Sequence, residues 1–146
     1  MRLMNKTTYE EYLEKYGKLT YTNVGVSMLP MLRQGRDVFT VKKKTEERCR
    51  KYDVVLYRRP PNHYVLHRIV KVRENDYIIC GDNCMNREYG IKDEDIIGVL
   101  EEFVRKGHKI SADNFLYRSY SVIWCAIFPI RRILMKIKAK FKGLKK

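Results

Sequence analysis

Between residues 24 and 104 apolar and polar side chains alternate with a period of two, in short runs broken by proline, asparagine and aspartate. Only an extended chain sends successive side chains to opposite faces, so this pattern points to strands and away from a helical bundle. The runs cover 37–41, 52–58, 64–72, 77–80 and 95–104. Pro60, Pro61 and Asn62 turn the second run into the third, and Asn75 with Asp76 turns the third into the fourth. Five or more short strands at this spacing predict a mainly β body, a coiled β-barrel or sandwich.

Helical patterns flank it. Residues 7–16 read as a short helix with Thr7 or Thr8 as cap, Glu10 and Glu11 in the first turn, and Gly17 as the stop. Tyr9, Leu13 and Tyr16 then share one face. From about residue 113 the chain reads as helix again, capped by Asp113 or Ser111. Its first half is crowded with Phe115, Leu116, Tyr120, Ile123, Trp124, Ile127 and Phe128, and Pro129 kinks or divides it. The 146 residues suit one domain. They organise as a lead-in (1–23), a β domain (24–104) and a basic amphipathic helical tail (105–146).

The net charge of +14 is unevenly placed: residues 1–104 carry +3 and residues 105–146 carry +11. That points away from a basic binding face on the body and towards a terminal anchor for anionic lipid or, ranked last, nucleic acid. Equally, Tyr120, Trp124, Ile127 and Phe128 can pack on the body and leave the lysines merely solvated. The longest apolar run, 121–130, is ten residues, half of the roughly 20 needed to span a bilayer. Residues 1–20 have no apolar core of the kind a secretory signal carries. The expected location is cytoplasmic, or peripheral on the cytoplasmic face of a membrane. Cys49, Cys80, Cys84 and Cys125 form no readable disulfide framework. Cys80 and Cys84 bracket a Gly-Asp-Asn turn but lack the further pair that tetrahedral zinc needs, so no metal or cofactor is expected.

Three residues carry candidate chemistry. Ser27 lies between Gly25 and Pro30, in Gly25-Val26-Ser27-Met28-Leu29-Pro30. A serine on such a turn can expose its hydroxyl and offer a backbone N–H to an oxyanion; equally, it can be a plain helix N-cap. His67 falls in the third run, on the face of His63, Val65, Ile69 and Lys71. The opposite face, Tyr64, Leu66, Val70 and Val72, is the better core face, which leaves His67 on a cleft wall. Histidine suits a general base that later returns the proton, although a strand histidine is more often structural. Asp82, in Gly81-Asp82-Asn83, can orient an imidazole or simply cap its own turn. Glu88 is a second, lower-ranked acid.

Taken together, Ser27-Met28-Leu29-Pro30, Tyr52-Asp53-Val54-Val55, His67-Arg68-Ile69-Val70, Gly81-Asp82-Asn83 and Ile96-Ile97-Gly98-Val99 resemble the S24/S26 serine peptidases, the signal peptidase I and LexA-like proteins. The histidine matches the branch that uses histidine rather than lysine as base. The resemblance implies a signal-peptidase-like endopeptidase with Ser27 as nucleophile, His67 as base and Asp82 as the essential acid, with Glu88 where the family has a further aspartate. Its substrate would be an extended peptide. Independently of the resemblance, the apolar face and lysine-rich end of the tail suit an anionic membrane surface, and a separate membrane-anchored partner is a further expected contact. The chain departs from the family in lacking a recognisable N-terminal anchor, in carrying Gly25 two residues before the nucleophile, and in lacking an Ala-Gly self-cleavage pair. A peptidase-like domain that binds a peptide or protein without cutting it is the alternative.

Overall fold

Eight antiparallel strands form one sheet: β1 (Lys18–Thr22), β2 (Val38–Lys43), β3 (Val54–Arg59), β4 (His63–Val72), β5 (Tyr77–Cys80), β6 (Glu88–Ile91), β7 (Ile96–Arg105) and β8 (His108–Ser111). The computed structural model describes residues 8–144, and the fold is mainly β. The pairing order is β1-β2-β7-β3-β4-β5-β6, with β8 added to β7. Among the described residues the pairing runs from β1 to β6 without closing on itself, so the sheet is open in hydrogen bonding. Register shifts at Thr40/Val41, Leu56/Tyr57 and Ile69/Lys71 are bulges of the kind that bend strands.

That bending buries β3 and the middle of β4 on both sides. Leu56 and Leu66 belong to one apolar cluster with Leu13, Leu32, Phe39 and Leu100. Val55, Tyr57 and Ile69 belong to a second with Tyr77, Ile79 and Ile96. Each fully buried Leu or Ile contributes about 2 kcal/mol of transfer free energy. The expectation of a single core face on residues 64–72 is therefore corrected: Ile69, on the side of His67, is fully buried. The sheet also recruits β1 and β8 from the segments before residue 24 and after residue 104.

The first helix, α1, spans Tyr9–Tyr16. Thr8 caps it in a reciprocal capping box with Glu11; the other candidate cap, Thr7, lies outside the described residues. Tyr9 and Leu13 enter the first cluster, whereas Tyr16 is exposed. The tail divides into α2 (Phe115–Ala126) and α3 (Phe128–Leu144). Its cap is Asn114, whose side chain accepts the Tyr117 N–H at 3.1 Å. Asp113 instead donates its N–H to Ser111 Oγ. Pro129 sits in the first turn of α3, where a missing N–H costs no helical hydrogen bond. Tyr117, Ser121 and Phe128 face the body, while Phe115, Leu116 and Ile123 face solvent. No helix among the described residues is long and apolar enough to cross a membrane.

Candidate active site

The loop between β1 and β2 holds Ser27. Gly25 adopts φ 81°, a left-handed conformation that glycine tolerates without strain, and its N–H is taken by Gln34 Oε1 at 2.8 Å. Residues 27–31 form a turn, closed by a Leu32 N–H to Met28 carbonyl bond of 2.9 Å. Met28 plugs the core beside it. Among the described residues the Ser27 hydroxyl and Ser27 N–H make no hydrogen bond, so this serine does not serve as a helix cap.

The turn after β5 clasps this loop. Asn83 N–H donates to the Ser27 carbonyl at 2.8 Å, and Asn83 Nδ2 donates to the Val26 carbonyl at 3.1 Å. Between them sits Gly81. A Cβ on Gly81 would lie 2.7 Å from Ser27 O, 2.9 Å from His67 Nε2 and 2.6 Å from Cys84 Sγ. All three contacts are too close for a real carbon. The serine loop and the imidazole edge therefore converge on a notch that only glycine leaves open.

His67 is buried on β4, yet it lines a cleft of about 600 Å³ together with Ser27, Arg59, Tyr64, Cys84 and Glu88. In the β3–β4 register Tyr57 pairs with Val65 and Val55 with His67, so Tyr57 and His67 are diagonal neighbours on one face. The Tyr57 hydroxyl lies 3.2 Å from His67 Nδ1. Burial, and next the Arg59 cation, push the His67 pKa down to about 4, with the Asp82 charge opposing them. The imidazole is thus neutral near pH 7 and has a lone pair to offer. Burial raises the Tyr57 pKa, so its hydroxyl keeps its proton.

Asp82 occupies a different position from the expected orienter of His67. Its carboxylate accepts from Arg68 Nε at 2.8 Å and Arg68 Nη2 at 3.0 Å, and from the Tyr120 hydroxyl at 2.8 Å. Its carbonyl accepts from Trp124 Nε1 and Arg131 Nη1, each at 2.8 Å. Arg68 is fully buried and also reaches the Tyr52 carbonyl, the Tyr117 hydroxyl and Ser121 Oγ. The acid facing His67 is Glu88, with Oε1 4.0 Å from Nδ1; Glu88 is itself ion-paired with Arg59. The structure brings Ser27 and His67 to one notch and sets Asp82 behind it, tying the turn to α2.

Sequence reasoning missed Tyr57, Arg59 and Gly81. Gly81 carried a usable signal, a glycine directly after a strand where backbones approach closely. Tyr57 needed the β3–β4 register, which alternation alone does not fix. The chain matches no protein-family model, no curated protein and no solved structure.

Proposed function

We propose that this chain is a signal-peptidase-like serine endopeptidase of the S24/S26 class. The observation that carries the reading is the notch at Gly81, where the Ser27 turn and Nε2 of a neutral His67 meet at the wall of an open cleft. With the Nδ1 proton donated to the Tyr57 hydroxyl, Nε2 is free to take the Ser27 proton as Oγ attacks a peptide carbonyl. The unpaired Ser27 N–H is available to the oxyanion. Collapse of the tetrahedral intermediate breaks the C–N bond, and the imidazolium gives its proton to the leaving amine. Water, deprotonated by His67, then hydrolyses the acyl-enzyme and regenerates the serine. In this reading Asp82 positions the turn rather than the imidazole, and Tyr57 with Glu88 supplies the polar contacts to Nδ1. The substrate is an extended peptide, cleaved on the cytoplasmic side or at the adjoining membrane surface.

The competing reading, a peptide-binding domain without turnover, is favoured by the missing Ser27–His67 hydrogen bond among the described residues. Ser27→Ala decides between them. Cleavage of a peptide library should fall on the order of 10⁴-fold or more, with the thermal midpoint unchanged. Labelling of Ser27 by a serine-directed acylating probe should vanish with it. Equal processing by wild type and Ser27→Ala would end the peptidase reading.

A further inference from the structure

We propose that α3 is an interfacial helix that docks the protein on an anionic lipid leaflet. Its large exposed apolar residues Ile130, Ile133, Leu134, Ile137, Phe141 and Leu144 are each 46–75% exposed, while Phe128 is buried and Met135 half-buried. At 100° per residue these six fall within an arc of about 100°. On one flank of that arc lie Lys136 and Lys140, on the other Lys138 and Lys142, and no acid occurs anywhere in α3. Among the described residues none of these lysines is in an ion pair.

Such a helix has two demands, apolar cover along one stripe and negative charge along both edges. A leaflet of anionic headgroups over acyl chains meets both at once, with the lysine stems lying along the apolar stripe and their ammonium groups at the phosphates. A nucleic acid would satisfy the lysines and leave the stripe in water. A second copy of α3 would cover the stripe but bring its own lysines against these.

The attachment to the body is rigid at the near end. Arg131 donates to the Trp124 carbonyl through Nε and Nη2, at 3.1 and 3.0 Å, and to the Asp82 carbonyl through Nη1 at 2.8 Å. Backbone hydrogen bonds from Ile127 to Ile123 and from Arg131 to Ile127 carry helical bonding across the α2–α3 junction. A docked α3 is thereby tied to the turn that carries Gly81 and Asp82.

The test is flotation of the full chain with vesicles of phosphatidylcholine alone or mixed with phosphatidylglycerol. Binding is expected to the mixed vesicles only, weakening at high salt. Neutralising Lys136, Lys138 and Lys140 to Gln should weaken it by about fivefold per residue, or about a hundredfold together. The double variant Leu134→Asp/Ile137→Asp should abolish it. The lysine variants leave the stripe and the helix intact, so they test the proposal even if the double variant unwinds α3. No flotation, equal flotation with neutral lipid, or binding insensitive to the lysine variants would overturn it. So would a dimer in the absence of lipid that dissociates in the double variant, or duplex DNA binding that persists in that variant while vesicles go unbound.

Discussion

His67 and Arg68 are consecutive on β4, and they face two quite different environments. On one side the imidazole touches a single hydroxyl, has its nearest acid at 4.0 Å, and opens on a cleft. On the other, the guanidinium is sealed from solvent, with Asp82, Tyr52, Tyr117 and Ser121 accepting its donors. A buried charge tolerates its site only when paired and fully hydrogen-bonded, and Arg68 meets that condition. A group that is under-partnered beside a cavity is where chemistry can be done, because its protonation state remains free to change. Two carboxylates six residues apart are divided accordingly: Asp82 serves the sealed side and Glu88 the open one.

Removing the sealed-side acid gives the largest effect on the fold. Asp82→Ala leaves Arg68 as an unpaired cation in the core and should cost about 3–5 kcal/mol of unfolding free energy, read by urea denaturation. Glu88→Gln, on the half-exposed side, should cost less than 1 kcal/mol in the same measurement. Equal losses in the two variants would erase the distinction between the faces.

The open side contributes a pH dependence of stability through His67. His67 has a folded-state pKa of about 4 against an ordinary value of 6.5, so the unfolded chain binds the proton more readily. Stability from this residue is fully present above pH 6.5 and is lost as the pH falls towards 4, by about 3 kcal/mol in all. His67→Gln should remove that slope. A wild-type curve parallel to that of the variant between pH 7 and 4 would show that His67 is not held neutral.

Gly81 stands between the two faces, and Gly81→Ala tests the notch itself. The added carbon must displace the Ser27 backbone, the imidazole or the Cys84 sulfur, and misplacement of reacting groups by about 1 Å can cost on the order of 10²-fold in rate. Under the peptidase reading kcat should fall by about that much, while Ser27 and His67 remain present. An unaffected kcat would mean that the convergence at Gly81 does no chemical work.

Much of this was legible in the sequence, and its limits are instructive. Alternation located β2 and β7, and short apolar runs bounded by turn residues located β3, β4 and β5, which are buried on both faces over much of their length. It passed over β1, β6 and β8, short strands of four or five residues with mostly exposed side chains, which are extended because a neighbour pairs them. Ser27 and His67 are singled out by their order within a set of short motifs, since a turn serine or a strand histidine alone is as readily structural. The partner of Asp82 did not: Arg68 looked like one more charged residue in an alternating strand, and only tertiary packing by Tyr117, Tyr120 and Ser121 makes it a buried cation. Side-chain pairing across strands depends on register, and register is a property of the assembled sheet.

The smallest predicted effect probes the open side alone. Arg59 is the second cause, after burial, of the low His67 pKa, and it also holds Glu88 in an ion pair. Arg59→Gln removes a cation that repels the imidazolium and frees a carboxylate 4.0 Å from Nδ1 to attract it. Both changes favour the protonated ring, so the pKa must rise. Under the peptidase reading the acidic limb of the kcat/KM profile should then move to higher pH, since an imidazole acts as a base only when neutral. The plateau near neutrality should stay within about a few-fold of wild type. Arg59→Lys, which keeps the charge, should leave the limb in place and so separates electrostatics from packing. A limb that moves to lower pH in Arg59→Gln, or not at all, would mean that the base titrating in the cleft is not His67.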